Sequence, residues 1–446
     1  MDDNLKLPKK TRLGRGSELL SLAISLGKKE LSSRLASSVS NQDSKLQLVQ
    51  TRIEQAQSLY KHLSQLKGAA MKFGQMLSIE AQDYLAPEVL KILSQLQDKA
   101  PPIPFVEIIK ILREELGAER LTQINKLEES PLAAASMGQV HRAIYKGEKV
   151  VLKIQYKGIR EAIDSDMALL KKIVTAAGWL TQKQLSSDLF FDEIARVLKW
   201  ESDYERESLC LEKYAYNFRE DSRFIVPKPF KDFSSSKVLM MDEHSGLKLD
   251  EWLARNPGQD ERDFYGKCFL DLYVKEFFEF GLVQTDPNFA NFLFKPETQQ
   301  LVVLDLGATR DYSREFITDY QKLLEVLDLA SDEEILNHAI VRMKLLDVRE
   351  SDECKKLFIE MLKVSLFPFR GEQPFVFSDL NYSNQVRESV LKMIKEIRYS
   401  APPHQLIFLH RKLGGIYNLL KRINAHVNLA DYWTRILNFS NPVIKG

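Results

Sequence analysis

The sequence predicts an α+β protein: a helical N-terminal extension, a small β-rich lobe and a large, mostly helical lobe. Three observations carry this. Apolar residues recur at helical spacing from Leu46 to Leu77, ahead of any strand signal. Two strand-like runs, Gly138 to Tyr145 and Lys149 to Gln155, flank the turn-like Lys146-Gly147-Glu148. After Leu249 helical patterning dominates, apart from a second strand pair between Asn291 and Asp305.

The extension comes first in the chain. Leu46, Val49, Ile53, Ala56, Leu59, Leu63, Leu66 and Ala70 step by three and four, and no proline interrupts them. A second helix covers Pro87 to Leu96. Lys99-Ala100-Pro101-Pro102-Ile103-Pro104 reads as a rigid linker, and Phe105 to Leu116 as a helix ended by Gly117. Strands begin near Pro131. Helical patterning covers Ile159 to Ala177 and Asp188 to Tyr216, and Phe224 to Phe230 and Lys237 to Asp242 are strand candidates. From Phe316 onward helices are broken at Pro368, Pro374 and Pro402-Pro403. These patterns divide the chain into a basic segment over 1–45, a helical extension over 46–125, a small lobe over 126–245 and a helical lobe over 246–446.

Composition excludes several classes. The net charge of +1 leaves no footprint for nucleic acid. The cysteines, Cys210, Cys268 and Cys354, are far apart, which fits a reducing compartment, and no Cys/His spacing fits zinc. No cleavable targeting signal is seen, and no run reaches the roughly 20 apolar residues of a membrane span. The first forty residues hold eight Lys/Arg against four Asp/Glu. With the short apolar run Leu19 to Leu26, they suit either an anionic membrane surface or the protein's own core.

Chemistry concentrates in a few runs. Gln284-Thr285-Asp286-Pro287-Asn288-Phe289-Ala290-Asn291 contains Asp-x4-Asn, and Leu304-Asp305-Leu306-Gly307 supplies Asp-x-Gly after a strand pair. Protein kinases use this order for a catalytic-loop Asp, a metal-binding Asn and a metal-binding Asp. The oxygen donors suit Mg2+. Alone, Asp-x4-Asn is common. Val150-Val151-Leu152-Lys153 ends a strand on a lysine, the place of a kinase phosphate lysine, although a lone strand lysine is usually a surface residue. Glu201-Ser202-Asp203-Tyr204-Glu205-Arg206-Glu207 places Asp203 and Glu207 on one helix face, a pattern that also suits a solvated surface. Ala133-Ala134-Ala135-Ser136 stands where a glycine-rich phosphate loop would, or forms a buried small-residue turn. Its methyl groups make it stiffer than glycine. Gly68 and Gly74, each unfavourable in a helix by about 1 kcal/mol relative to alanine, indicate close backbone approach or small-residue helix packing.

Together these runs resemble the UbiB/ADCK family of atypical kinases, the aarF-domain-containing proteins, and within it the coenzyme Q kinase-like branch. Lys72-Phe73-Gly74-Gln75 matches the family's K-x-G-Q motif, and Ala133 to Ser136 its alanine-rich loop. Lys153 matches the strand lysine, Glu201-Ser202-Asp203 the E-x-D motif and Glu207 the lysine's helical partner. Asp286 and Asn291 match the catalytic loop, and Asp305-Leu306-Gly307 the metal-binding motif, with Leu306 replacing the usual Phe. The match runs from about residue 46 to at least 330, in family order. The segment after Arg12-Leu13-Gly14-Arg15 is too polar and short for the membrane helix of many relatives.

The resemblance implies a protein-kinase-like two-lobed fold, with the extension packed over the active-site cleft. It implies ATP or ADP and Mg2+ as cofactors, and slow ATP hydrolysis supporting quinone or other isoprenoid-lipid biosynthesis. Lys153, held by Glu207, would position phosphates together with Ala133, Ala134, Ala135 and Ser136. Asn291 and Asp305 would bind metal, and Asp286 would orient the attacking oxygen. Met241, Glu243 and His244 would contact adenine at the hinge. Lys72 and Gln75, with Glu201 and Asp203, would shape and regulate the site and block a protein substrate. Partners would be adenine nucleotide, an anionic membrane surface, isoprenoid lipid and quinone-biosynthesis proteins, with no nucleic acid. The location implied is cytoplasmic, peripheral at the inner face of a bacterial membrane. Two rivals stay open: a protein or small-molecule kinase acting in trans, and a nucleotide-binding scaffold for a lipid-biosynthetic complex.

Overall fold

The computed structural model describes residues 102–134, 137–176, 188–286, 288–329, 331–400 and 403–439. The expectations for residues 1–101, including Lys72 and Gln75, lie outside these, as do Ala135 and Ser136. The chain divides into two compact units. Among the described residues, the first comprises 102–209 and 228–243, the second 210–227 and 244–439. Residues 210–227, which the sequence placed with the small lobe, group with the second unit.

The first unit is built on an antiparallel sheet. Strands β1 (Ile124–Asn125), β3 (Gly138–Tyr145), β4 (Glu148–Gln155) and β6 (Val238–Asp242) lie in the order β1-β3-β4-β6, and β2 (Ala133–Ala134) pairs with β3. The hairpin read around Lys146-Gly147 is present, in the register Tyr145 opposite Glu148. Helix α1 (Phe105–Leu121) buries Ile108, Ile111, Leu112 and Leu116, the i, i+3, i+4 and i+8 positions of one stripe. Gly117, at φ 79° and ψ 162°, breaks its regularity where the sequence ended the helix, although one further turn continues to Leu121. The stripe packs with Val150, Leu152 and Ile154 of β4 and with Val238 and Met240 of β6. Side chains alternate along a strand, so Val151, Lys153 and Gln155 belong to the opposite face. All three are also buried, so β4 is covered on both sides.

Helices α2 (Ile159–Ala176), α3 (Asp188–Glu201) and α4 (Tyr204–Phe218) come next. The sequence read Asp188 to Tyr216 as one helical run; the structure breaks it at Ser202-Asp203. One distant and one local hydrogen bond accompany the break. The Gln155 amide donates to the Ser202 carbonyl at 2.8 Å, and the Asp203 carboxylate caps α4 by accepting from the Arg206 N–H at 3.3 Å. Asp203 therefore precedes the helix and does not share a face with Glu207 within it.

In the second unit, β5 (Phe224–Ile225) pairs parallel with β9 (Gln300–Val303), which forms a hairpin with β8 (Phe292–Lys295). This is the strand pair expected between Asn291 and Asp305. Strands β7 (Leu282–Gln284) and β10 (Thr309–Asp311) form a separate antiparallel pair. Helices α5 (Leu249–Ala254) and α6 (Gln259–Val274) precede β7, and a π-helical turn, Lys275–Phe280, leads into it. That turn ends at Gly281, where φ is +62° and an added Cβ would lie 2.9 Å from the Tyr312 carbonyl oxygen, so a side chain is excluded. After β10 come α7 (Arg314–Leu329), α8 (Asp332–Asn337), α9 (Asp352–Leu366), α10 (Leu380–Glu396), α11 (His404–Arg422) and α12 (Leu429–Leu437). A small pair, β11 (Phe375–Val376) with β12 (His426–Val427), ties the loop before α10 to the connection between α11 and α12. Among the described residues, no helix is long and apolar enough to cross a membrane.

Candidate functional site

In the first unit the strand lysine is the centre of a built arrangement. Lys153 Nζ lies 2.8 Å from both carboxylate oxygens of Glu207. Glu207 is fully buried and Lys153 is 8% exposed. Two charges are buried at this cost only when well paired, and here the pairing is bidentate. The Lys153 ammonium also sits 5.0 Å from the ring centroid of buried Tyr204, a cation–π contact. Tyr204 and Glu207 are three apart on the first turn of α4, so one helix face supplies both partners. The sequence anticipated Lys153 and Glu207; it missed Tyr204, whose role depends on the break before α4.

The loop ahead of Lys153 is held close to the sheet. Ala133 and Ala134 pair with Val140 and Gln139. Gly138 starts β3 opposite Gln155, and a Cβ there would lie 2.3 Å from the Ile154 carbonyl oxygen and 2.9 Å from the Tyr204 hydroxyl. Only a residue without a side chain allows β3 to begin at this point. A buried polar chain adjoins it. Gln139 accepts from the Ile103 backbone N–H and donates to His141 Nε2 at 3.2 Å. With Nε2 accepting, His141 carries its proton on Nδ1 and donates to the Glu128 carbonyl at 2.8 Å. Gln139 and His141 are both fully buried; alternation alone marks them only as strand residues.

Other expected residues occupy distinct places. Met241 stands opposite Val151, on the face of the sheet that carries Lys153. The Glu243 N–H donates to the Lys149 carbonyl at 3.0 Å, and its carboxylate accepts from Arg142 Nε at 2.7 Å. His244 belongs to the second unit. Glu201 ends α3, and Asp203 pairs with Arg160 at 3.2 Å besides capping α4.

The second unit holds the Asp-x4-Asn loop. Thr285 anchors it, donating its N–H at 3.2 Å and its hydroxyl at 2.7 Å to the Ala308 carbonyl. Asn291 donates its amide to Asp286 Oδ2 at 3.2 Å, so the atom it can offer to a metal is its oxygen. The Leu304 N–H donates to the Asn291 carbonyl at 2.9 Å, which brings the backbone before Asp305 against Asn291. The Asp305 carboxylate accepts from the Gly307 N–H at 3.0 Å, a tight turn that the buried Leu306 spans. One amide oxygen and one carboxylate are a hard donor pair that fits Mg2+ sharing its remaining positions with phosphate and water. Among the described residues, no group of three or more His, Cys, Asp or Glu is placed to hold a metal by itself.

Next to this loop lies a buried network that sequence reasoning missed. Lys412 on α11 is 3.1 Å from Glu276 and 3.2 Å from the Gln284 amide oxygen. The Tyr214 hydroxyl lies 3.0 Å from Glu276 and 3.1 Å from the Leu282 carbonyl. All four side chains are buried. Burial raises the Glu276 carboxyl above its ordinary value, opposed by the Lys412 charge and the hydrogen bonds it receives. One residue before Lys412, Arg411 approaches Asp286 Oδ1 at 3.8 Å. The available signal was a charged pair, Arg411-Lys412, inside the otherwise apolar Leu406 to Leu420 pattern.

Comparison with known proteins identifies the family of the chain. Residues 95–339 match the ABC1 atypical kinase-like domain. The chain is 34% identical over 379 residues to the mitochondrial atypical kinase COQ8 of Saccharomyces cerevisiae, covering 84% of this chain and 75% of that one. It is 30% identical over 384 residues to the mitochondrial atypical kinase COQ8B of Danio rerio, covering 86% of this chain and 61% of the relative. Among solved structures, Rv3197 of Mycobacterium tuberculosis, determined in complex with erythromycin, aligns with 90% of this chain at a TM-score of 0.58 and 24% identity, a likeness of fold.

Proposed function

Because the chain belongs to the ABC1 atypical kinase-like family, the UbiB/ADCK group, we propose that it binds ATP with Mg2+ and slowly hydrolyses it in support of ubiquinone or other isoprenoid-lipid biosynthesis. The observation that carries this reading is the bidentate, buried Lys153–Glu207 pair, which suits a lysine reserved for phosphate and not a surface cation.

Each residue has a role that accords with its chemistry. Lys153 neutralises charge on the nucleotide's non-transferred phosphates, while Glu207 and the Tyr204 ring keep its ammonium in place. Ala133 and Ala134 present a stiff backbone in place of a flexible glycine loop. Met241 offers apolar contact to the base, and the chain at Glu243 and His244 flanks it. Asn291 and Asp305 would hold Mg2+, which would supply charge that shields the phosphates from the incoming oxygen. Asp286 orients that oxygen. Glu201 and Asp203, with Lys72 and Gln75 of the extension, tune access. The basic first forty residues give attraction to anionic lipid that salt screens.

Incubation of the full chain with γ-labelled ATP and Mg2+, with and without isoprenoid-lipid vesicles, tests the proposal. The expected outcome is slow, Mg2+-dependent release of labelled phosphate, lost in Lys153→Met. Label on an added protein would instead make it a kinase in trans. Nucleotide binding without turnover would make it a scaffold.

A further inference from the structure

We propose that Arg411 is a positioning residue for Asp286, holding the catalytic-loop carboxylate in a single orientation. This rests on the reading of Asp286 as the group that orients the attacking oxygen.

Phe408, Arg411 and Lys412 are spaced three and four apart on α11 and so share one face. Phe408 and Lys412 are buried, and the Arg411 side chain is 6% exposed. Lys412 reaches Gln284, the last residue of β7, at 3.2 Å. Arg411 reaches Asp286, two residues further on, with Nη2 3.8 Å from Oδ1. The same stretch of helix therefore holds both the end of the strand and the acid just beyond it.

The opposite oxygen of Asp286 is also engaged. Oδ2 accepts from the Asn291 amide at 3.2 Å. An aspartate on a short loop has free rotation at its terminal torsion unless its two oxygens meet different partners. Here one oxygen faces an amide five residues on and the other faces a guanidinium from a distant helix. At 3.8 Å the Arg411 contact is an ion pair and not a short hydrogen bond, so it acts through charge and placement. A buried guanidinium is costly, and Leu406 and Leu409 of the same helix are buried apolar residues. An arginine is kept here for its charge.

The test uses the full chain as Arg411→Met, Arg411→Lys, Asp286→Asn and the double variant Arg411→Met/Asp286→Asn. The unfolding midpoint is measured without nucleotide, and kcat and KM for ATP are measured separately. Arg411→Met should lower kcat about 10- to 100-fold with KM within about threefold, the signature of a misplaced group and not of lost substrate binding. Arg411→Lys should recover most of that loss, because charge is restored. In the midpoint cycle the double variant should lose less than the sum of the two single variants. Additive midpoints would overturn the proposal, as would wild-type kcat in Arg411→Met where Asp286→Asn abolishes turnover. A wild-type chain without ATP turnover would sink the functional reading, while the midpoint cycle would still decide whether Arg411 holds Asp286.

Discussion

Lys153 and Glu207 form a bidentate ion pair, with the lysine nitrogen 2.8 Å from both carboxylate oxygens and the glutamate fully buried. Removing one partner of such a pair leaves an uncompensated charge. Glu207→Ala should cost about 3–5 kcal/mol of stability, read by denaturant unfolding. The double variant Lys153→Met/Glu207→Leu should recover most of that stability and none of the nucleotide binding. Equal stability of Glu207→Ala and wild type would show that the pair is not desolvated as described.

Gly138 sets the approach of β3 to β4. Gly138→Ala places a methyl group 2.3 Å from the Ile154 carbonyl oxygen, and the clashing atom is backbone. The expected loss is about 1–3 kcal/mol, together with weaker ATP binding as the loop is displaced from Lys153. A variant with an unchanged unfolding midpoint would contradict this packing.

The fold was legible in the sequence where the signal is local. The strand-like run Lys149 to Gln155 behind a turn placed Lys153 on a strand, and the spacing of Asp286, Asn291 and Asp305 anticipated the β8–β9 hairpin. The break between α3 and α4 was not legible, because helical periodicity runs through Ser202 and Asp203. What stops the helix is a hydrogen bond from Gln155, distant in sequence. Tyr204, Arg411 and Lys412 were missed for the same reason. Their partners are set by tertiary packing, and a buried charge looks in sequence like any surface one.

Ala134 stands in β2 opposite Gln139. Ala134→Gly should loosen the loop and change the ratio of ATP to ADP affinity, measured by calorimetric titration. ATP and ADP affinities that both match wild type would place the loop away from the phosphates.

Acid stability should report on Asp221. Its carboxylate accepts from Arg223 at 2.7 Å and Lys275 at 2.6 Å, and these partners, Arg223 foremost, hold its pKa well below the ordinary value of 3.8. A depressed carboxylate stabilises the fold above its unfolded pKa, and that contribution is lost as pH falls below it. Asp221→Asn should therefore be less stable than wild type at neutral pH and lose less on acidification from about pH 5 to about pH 3. Parallel stability profiles of variant and wild type would remove Asp221 from the account.

The central claim, a kinase-type nucleotide site with Asp305 as a metal ligand, is tested most directly by ATP-induced thermal stabilisation. Wild type and Asp305→Asn are compared with Mg2+ and with EDTA. Ligand that binds only the native state raises its stability by about 2.7 kcal/mol at a hundredfold excess over Kd. Wild type should show this rise with Mg2+ and lose it with EDTA, and Asp305→Asn should show none, because a neutral amide does not offset the cation's charge. Equal stabilisation by ATP in Asp305→Asn and wild type would contradict the account.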